Sequence, residues 1–306
     1  MNATDHPDSA RAIVAALAAN LGIAAAKFAG FVITGSAAMM AESVHSVADI
    51  ANQGLLLLGQ RSARKQADTL HSFGYGRSRY FWSFVVALLI FTLGAGFALY
   101  EGCRKVAHPE PLTSPVVALA ILIVTAGLEA YSFYTARTVS RSLKGNKSWW
   151  RFIRDSRDPE LPVVLLEDTA DLIGLTLAMV GVGLTVLTGS SVWDGVATLA
   201  IGVLLGAVAV FLMVEMHSLL IGESATASET AEIREALEST DYVDRVIHLR
   251  TQYLGPDELL VAAKVSVAPG VDLATVASAI DAAEVKIRTA VPAARIVYIE
   301  PDIDRA

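Results

Sequence analysis

The hydrophobic positions of this chain fall into long, nearly unbroken runs as far as Leu220; beyond that point apolar and polar residues alternate at short range. Six runs, about residues 12–34, 37–60, 79–102, 115–137, 161–187 and 195–220, are long enough for a helix to cross the hydrocarbon of a bilayer. The remainder predicts an αββαβ order. It has a helix over Ala231 to Ser239, strands over Arg245 to Tyr253 and Glu258 to Val267 divided by Gly255 and Pro256, a helix over Leu273 to Ala290, and a strand over Arg295 to Ile299. The pattern therefore predicts an α-helical membrane protein, with six transmembrane helices over residues 1–222 and a small cytoplasmic α+β domain over residues 223–306. Such a tail suits a dimerisation or sensing module.

Composition sharpens this picture. Of 306 residues 54% are hydrophobic and only 18% charged, with mean hydropathy +0.50, against about 25% charged in ordinary soluble domains. A purely soluble globular protein and a disordered chain are both excluded. Acidic residues outnumber basic ones, 31 to 24, so no nucleic-acid surface is expected. The single cysteine, Cys103, makes neither an internal disulfide nor a thiolate cluster. The leader from Met1 to Asp8 is acidic and the first run is longer than a signal-peptide core, so cleavage is not expected. Basic residues then set direction. Arg61, Arg64, Lys65, Arg77 and Arg79 follow the second run, and Arg137, Arg141, Lys144, Lys147, Arg151, Arg154 and Arg157 follow the fourth, whereas the opposite loops hold only Arg104 and Lys105. By the positive-inside rule both termini face the cytoplasm, and the alanine-rich chain fits the inner membrane of a bacterium.

Ionisable groups inside spanning helices are costly and by default mark a transport path or a catalytic site. His45 and Asp49 lie four residues apart in the second run, and Glu167 and Asp171 four apart in the fifth, so each pair shares one helix face. Counted from the cytoplasmic ends near Gln60 and Leu161, Asp49 and Asp171 both sit about 15 to 17 Å deep in antiparallel helices. They are level with each other near the midplane. One imidazole and three carboxylates suit a tetrahedral Zn²⁺, and the excess of oxygen also admits Mn²⁺, Fe²⁺ or Co²⁺. The competing reading is that these groups only join helices by hydrogen bonds. Asp168, turned about 100° from Glu167, either supports the ligands or lines the cytoplasmic approach, and Asn52 is placed to orient Asp49. Asn20 reads as an interhelical hydrogen-bonding group and Lys27 as a snorkelling or charge-balancing one.

In these residues the chain resembles the cation diffusion facilitator family of divalent-metal/proton antiporters. The resemblance rests on the His45 and Asp49 pair, the stretch from His71 to Arg77, the Glu167 and Asp171 pair, the stretch from Leu220 to Ser224, and the α+β tail. It implies a homodimer in the lipid bilayer, six helices per protomer, and export of cytoplasmic metal against protons through His45, Asp49, Glu167 and Asp171. It implies no resident cofactor, since the divalent cation is cargo and the proton its counter-ion. Glu167 stands where the family commonly has His or Asp. Residues 165–172 and 79–82 look closer to a branch with an acidic fifth-helix motif, Glu-x-x-x-Asp, which puts a zinc preference in question. Members with a metal in the first linker supply one Asp and two His; here Asp68 and His71 are in place but the second His is Tyr75, so a weak linker site and a structural turn both remain open. The tail has only His248, with Tyr298 where a His is common and Glu300 before Pro301, so no zinc cluster is expected in it. Glu215 and His217 read as a solvated interfacial pair.

Metal ligation requires deprotonated groups, so binding expels protons. With access alternating around a fixed midplane site, the expected function is divalent metal efflux by proton antiport, Zn²⁺ first with Mn²⁺, Fe²⁺ and Co²⁺ as alternatives. His45 is the expected proton carrier near neutral pH. An enzyme is not expected, because an intramembrane metallohydrolase would want an HExxH pair and the chain has none. A non-transporting metal-binding scaffold or sensor is the remaining alternative.

Overall fold

The computed structural model describes residues 7–145 and 148–302; the start of the acidic leader and Lys147 lie outside them. Helix α1 spans Pro7–Thr34 and α2 Ala37–Ala63. The third apolar run forms α3 (Ser78–Leu89), a π-helical segment (Ile90–Gly96) and α4 (Phe97–Ala107) in direct succession. Helices α5 (Pro115–Lys144), α6 (Trp149–Asp155), α7 (Glu160–Thr188) and α8 (Val192–Ile221) follow. Four stretches, Ser78–Ala107, Pro115–Thr138, Pro162–Thr188 and Val192–Ile221, are long and apolar enough to cross a membrane. In α1 the apolar stretch among the residues whose side chains are described is Asn20–Thr34, which is shorter. Helix α2 is not among the four, because Glu42, His45, Asp49 and Asn52 all lie along it.

The chain divides into two compact units, one of Met1–Leu58, Trp82–Phe152 and Glu160–Val214, the other of Gly59–Phe81, Ile153–Pro159 and Glu215–Ala306. In the first unit, α5 packs along α7 and against α1. Its core is built on Ala38, Ala41, Ala95, Ala98, Ala118, Ala170 and Ala178 with Leu122, Leu175, Ile201 and Leu205 between them. Small residues dominate because lipid tails are as apolar as leucine, so helices in a membrane gain by approaching closely rather than by burying bulk. Gly102 and Gly202 do this between α4 and α8, where an added Cβ would stand 2.8 Å from Leu199 and Leu99 respectively. The outward faces present Ile123, Val124, Leu128, Val203 and Val210, as a lipid solvent requires.

The turn between α1 and α2 is held from a distance. Gly35 takes a positive φ of 69°, and Ser36 caps α2 by accepting the Met39 N–H at 3.3 Å. The Asp194 carboxylate, at the start of α8, then accepts the Ser36 hydroxyl at 2.6 Å and the Ala37 N–H at 2.7 Å. Lys105, near the end of α4, donates to the Gly35 carbonyl at 2.9 Å and lies 3.9 Å from Asp194. Lys105 and Asp194 are both buried, so each is the other's charge partner.

In the second unit the αββαβ order is found as α9 (Ala227–Glu238), β1 (Val243–Gly255), β2 (Glu258–Val267), α10 (Leu273–Ala290) and β3 (Ile296–Asp302). The sheet order is β1-β2-β3, with β1 and β2 antiparallel and β2 and β3 parallel. Helix α9 starts earlier than its apolar periodicity indicates, because Thr226 and Glu229 form a capping box that satisfies the first-turn N–H groups. Ile233, Leu237, Leu259, Val261, Val265 and Ile287 form the core between helices and sheet.

Candidate metal centre

Helix α2 places His45 and Asp49 one turn apart, and α7 brings Asp171 against them. His45 is 1% exposed and Asp171 5%, while Asp49 is half-buried and lines a cavity. His45 Nε2 stands 2.8 Å from Asp171 Oδ1, and His45 Nδ1 stands 3.6 Å from Asp49 Oδ1. The first is a close imidazole–carboxylate ion pair; beyond these two contacts, both ring nitrogens and both of those carboxylate oxygens are buried without a further hydrogen-bond partner among the described residues. One ligand atom from each of the three residues falls within 4.8 Å of the others. Buried polar atoms normally find partners, and leaving one unpaired costs roughly 1–3 kcal/mol. Converging nitrogen and oxygen atoms with so few other partners are what a divalent cation would satisfy, at metal–ligand distances of about 2.0–2.2 Å.

Glu167, one turn before Asp171 on α7, is also buried but is not one of the three converging groups. Its Oε1 accepts a hydrogen bond from Asn52 Nδ2 at 3.0 Å. Asn52 thus holds the fifth-run carboxylate, where the sequence reading assigned it to Asp49. Asp168 is half-buried and lines, with Ser46, Asp49, Glu129, Glu167 and Asp171, a cavity of about 70 Å³. Asn20 lines the same cavity.

Two further features shape the centre, and the first carries no sequence signal of the kind used above. The π-helical segment passes Gly94 beside the imidazole, so that a Cβ at that position would lie 3.7 Å from His45 Nδ1 and 3.3 Å from Leu205. A π turn inserts one residue into the helical ladder and often re-aims a helix at a functional site. The other is a buried ion cluster. Of the two readings of Lys27, charge balance is the one found: it is fully buried and paired with Glu42 at 3.2 Å and Glu129 at 3.8 Å.

In the linker, Asp68 Oδ1 accepts the backbone N–H groups of Leu70 at 2.9 Å and His71 at 2.7 Å, and Oδ2 accepts the Tyr75 hydroxyl at 2.7 Å. These bonds, that of Tyr75 foremost, hold the Asp68 carboxyl below the ordinary carboxylate range, and the same bond raises the Tyr75 phenol. The His71 ring stacks on Tyr75 at 4.3 Å, with its Nδ1 3.5 Å from Asp68. The pair named from sequence therefore belongs to a closed turn in which Tyr75 takes up one carboxylate oxygen. In the tail, His248 is exposed on β1 opposite Lys264 of β2.

Known proteins bear on this geometry. The cation efflux transmembrane domain matches residues 13–221 and the cation efflux protein cytoplasmic domain matches residues 225–302. The proton-coupled zinc antiporter SLC30A9, mitochondrial, of Mus musculus is 34% identical over 242 residues, covering 78% of this chain and 42% of that protein. Metal tolerance protein C4 of Arabidopsis thaliana is 31% identical over 261 residues, 84% of this chain and 57% of that protein. Magnetosome protein MamB of Paramagnetospirillum magneticum is 25% identical over 231 residues, 74% of this chain and 71% of that one. The chain thus spans about half the length of the first two relatives. With a transmembrane and a cytoplasmic domain of one family following each other along nearly its whole length, this multi-pass membrane protein belongs to the cation diffusion facilitator family.

Proposed function

We propose that this chain exports a divalent metal cation in exchange for protons, with Zn²⁺ as its first cargo, and that His45, Asp49 and Asp171, joined by Glu167, form the transport site. In this reading α1 and α2 are crossings as well, which makes six with the four strongly apolar stretches, and the termini face the cytoplasm. The observation that supports it most is the convergence of three ligand atoms, from His45, Asp49 and Asp171 on two helices, within 4.8 Å of one another. A packing role needs only the pair of His45 with Asp171, whereas Asp49 is drawn to the same imidazole as well.

The coupling follows from the donor set. A cation entering from the cytoplasm through the cavity beside Glu167 and Asp168 takes the imidazole lone pair and the carboxylates in their deprotonated forms, and so drives protons out. When the helices rearrange, protons from the other side compete for the same atoms and the cation leaves. The site stays in place while access alternates. Zinc is favoured by the single imidazole and the name of the 34% identical relative; Glu167, a hard oxygen donor, would widen the choice toward Mn²⁺, Fe²⁺ and Co²⁺. A homodimer formed through the tail is part of the proposal, supported by the cytoplasmic domain match over residues 225–302.

Calorimetric titration of Zn²⁺ into the purified protein, in two buffers of different ionisation heat, tests this reading. Proton release accompanying Zn²⁺ binding at neutral pH is expected, and Glu167→His should shift preference toward Zn²⁺ over Mn²⁺. Zn²⁺ binding with no proton release, or no binding by folded protein, would contradict it.

A further inference from the structure

Lys27 on α1 is as deeply buried as any residue of the centre. Its ammonium donates to Ser46 Oγ at 2.8 Å and to Glu42 Oε2 at 3.2 Å, both on α2, and lies 3.8 Å from Glu129 Oε1 on α5. Ser46 follows His45 directly, and Ser46 and Glu129 line the same cavity as Asp49, Glu167 and Asp171. The Glu42 carboxylate is seated against α7 at Gly174, three residues after Asp171, where a Cβ would collide with Oε1. One ammonium is thus fixed by three partners on two helices, next to a chamber whose ionisable lining is acidic: Asp49, Glu129, Glu167, Asp168 and Asp171.

A wall of carboxylates alone would hold a divalent cation tightly, since charges interact strongly in a site from which water is largely excluded. A transporter needs binding that forms readily and also reverses. We propose that Lys27 is an affinity-setting residue: a tethered counter-charge, held by Ser46, Glu42 and Glu129, that weakens the grip of His45, Asp49 and Asp171 on a divalent cation so that it is released in each cycle. This inference rests on the transport reading above. A merely structural Lys27 would tie α1 to α2 and α5, and its charge would not register in the affinity for metal.

The test is Zn²⁺-driven proton flux by the full-length protein in liposomes holding a pH dye, comparing wild type with Lys27→Gln, Lys27→Arg and Glu42→Gln. Lys27→Gln is expected to lower the half-saturating Zn²⁺ concentration by about tenfold and to lower the maximal rate with it, as loss of one nearby positive charge requires. Lys27→Arg, which keeps the charge, stays near wild type, and Glu42→Gln, which leaves the ammonium less neutralised, moves half-saturation upward. An unchanged half-saturation in Lys27→Gln, or an equal shift in Lys27→Gln and Lys27→Arg, overturns the proposal. Should Lys27→Gln not insert as folded protein, Glu42→Gln decides alone, and a half-saturation that does not rise overturns it. Wild-type protein without any Zn²⁺-driven flux sinks the transport reading and this inference together, whereas wild-type flux with no charge-dependent shift sinks only the role of Lys27.

Discussion

At the scale of single residues, the centre is organised by which buried atoms are paired and which are not. Asn52 illustrates the paired kind. Its amide holds Glu167 Oε1 at 3.0 Å, which fixes the direction of a carboxylate one turn from Asp171. Groups that orient a metal ligand from behind typically alter affinity by about 10–100-fold when removed, so Asn52→Ala is expected to weaken Zn²⁺ binding by about that factor. Equilibrium binding of Zn²⁺ to the purified variant reads this directly, and an unchanged affinity would show that Glu167 needs no orientation. The sequence singles out His45, Asp49, Glu167 and Asp171 because ionisable residues four apart inside apolar runs are costly, and the structure brings His45, Asp49 and Asp171 together with Glu167 one turn away on Asn52. The partner of Asn52 was not legible in the sequence, since rotation of α2 against α7 is decided by packing and leaves no mark in the spacing of either helix. Lys27 stays open in the sequence for a related reason: a lysine in an apolar run fits a snorkelling or a charge-balancing side chain equally well, and only Glu42 and Glu129 around it decide for the second.

At the scale of elements, helix ends and helix irregularities carry the structure's less visible commitments. The α1–α2 turn depends on Asp194, which accepts from Ser36 and Ala37 while Lys105 supplies the opposite charge. Removing one member of a buried pair leaves the other without compensation, at a cost of about 3–5 kcal/mol. Asp194→Ala should therefore lower the thermal midpoint of the solubilised protein by many degrees without touching a proposed metal ligand, and a midpoint within a degree or two of wild type would rule this latch out. In the second unit, Glu229 accepts the Tyr253 hydroxyl at 2.6 Å as well as the Thr226 N–H and hydroxyl at 2.7 and 2.8 Å. Burial alone would push this carboxyl up, but these bonds together with the nearby Arg157 charge hold it below the ordinary carboxylate range. A depressed carboxyl contributes stability that is present above the unfolded-state value and is lost as pH falls through the folded one. Hydrogen exchange in residues 226–253 of the full chain is therefore expected to quicken on acidification below about pH 5, and Glu229→Gln should flatten that dependence; identical profiles for both proteins would contradict it.

The elements themselves were largely readable. All six long runs form helices, and β2 and α10 fall where the alternation and the helical periodicity put them, over Glu258–Val267 and Leu273–Ala290. The π-helical segment over Ile90–Gly96 was not readable, because one extra residue in a helical turn changes no hydrophobic pattern, and its effect appears only where Gly94 meets His45.

At the scale of the whole molecule, the proposal joins two things that the chain keeps in separate segments, a polar centre inside apolar helices and a small α+β domain matching the family's cytoplasmic part over residues 225–302. The central claim concerns the first of these. Reconstituted into liposomes with a trapped pH dye and given a Zn²⁺ gradient, the wild-type protein is expected to move protons against Zn²⁺. Asp49→Ala, which deletes one of the three converging ligands, is expected to reduce that flux to the level of empty liposomes while the protein remains folded and inserted. Zn²⁺-driven proton flux that persists in Asp49→Ala, or no flux in the wild type with any of Zn²⁺, Mn²⁺, Fe²⁺ or Co²⁺, would contradict the account.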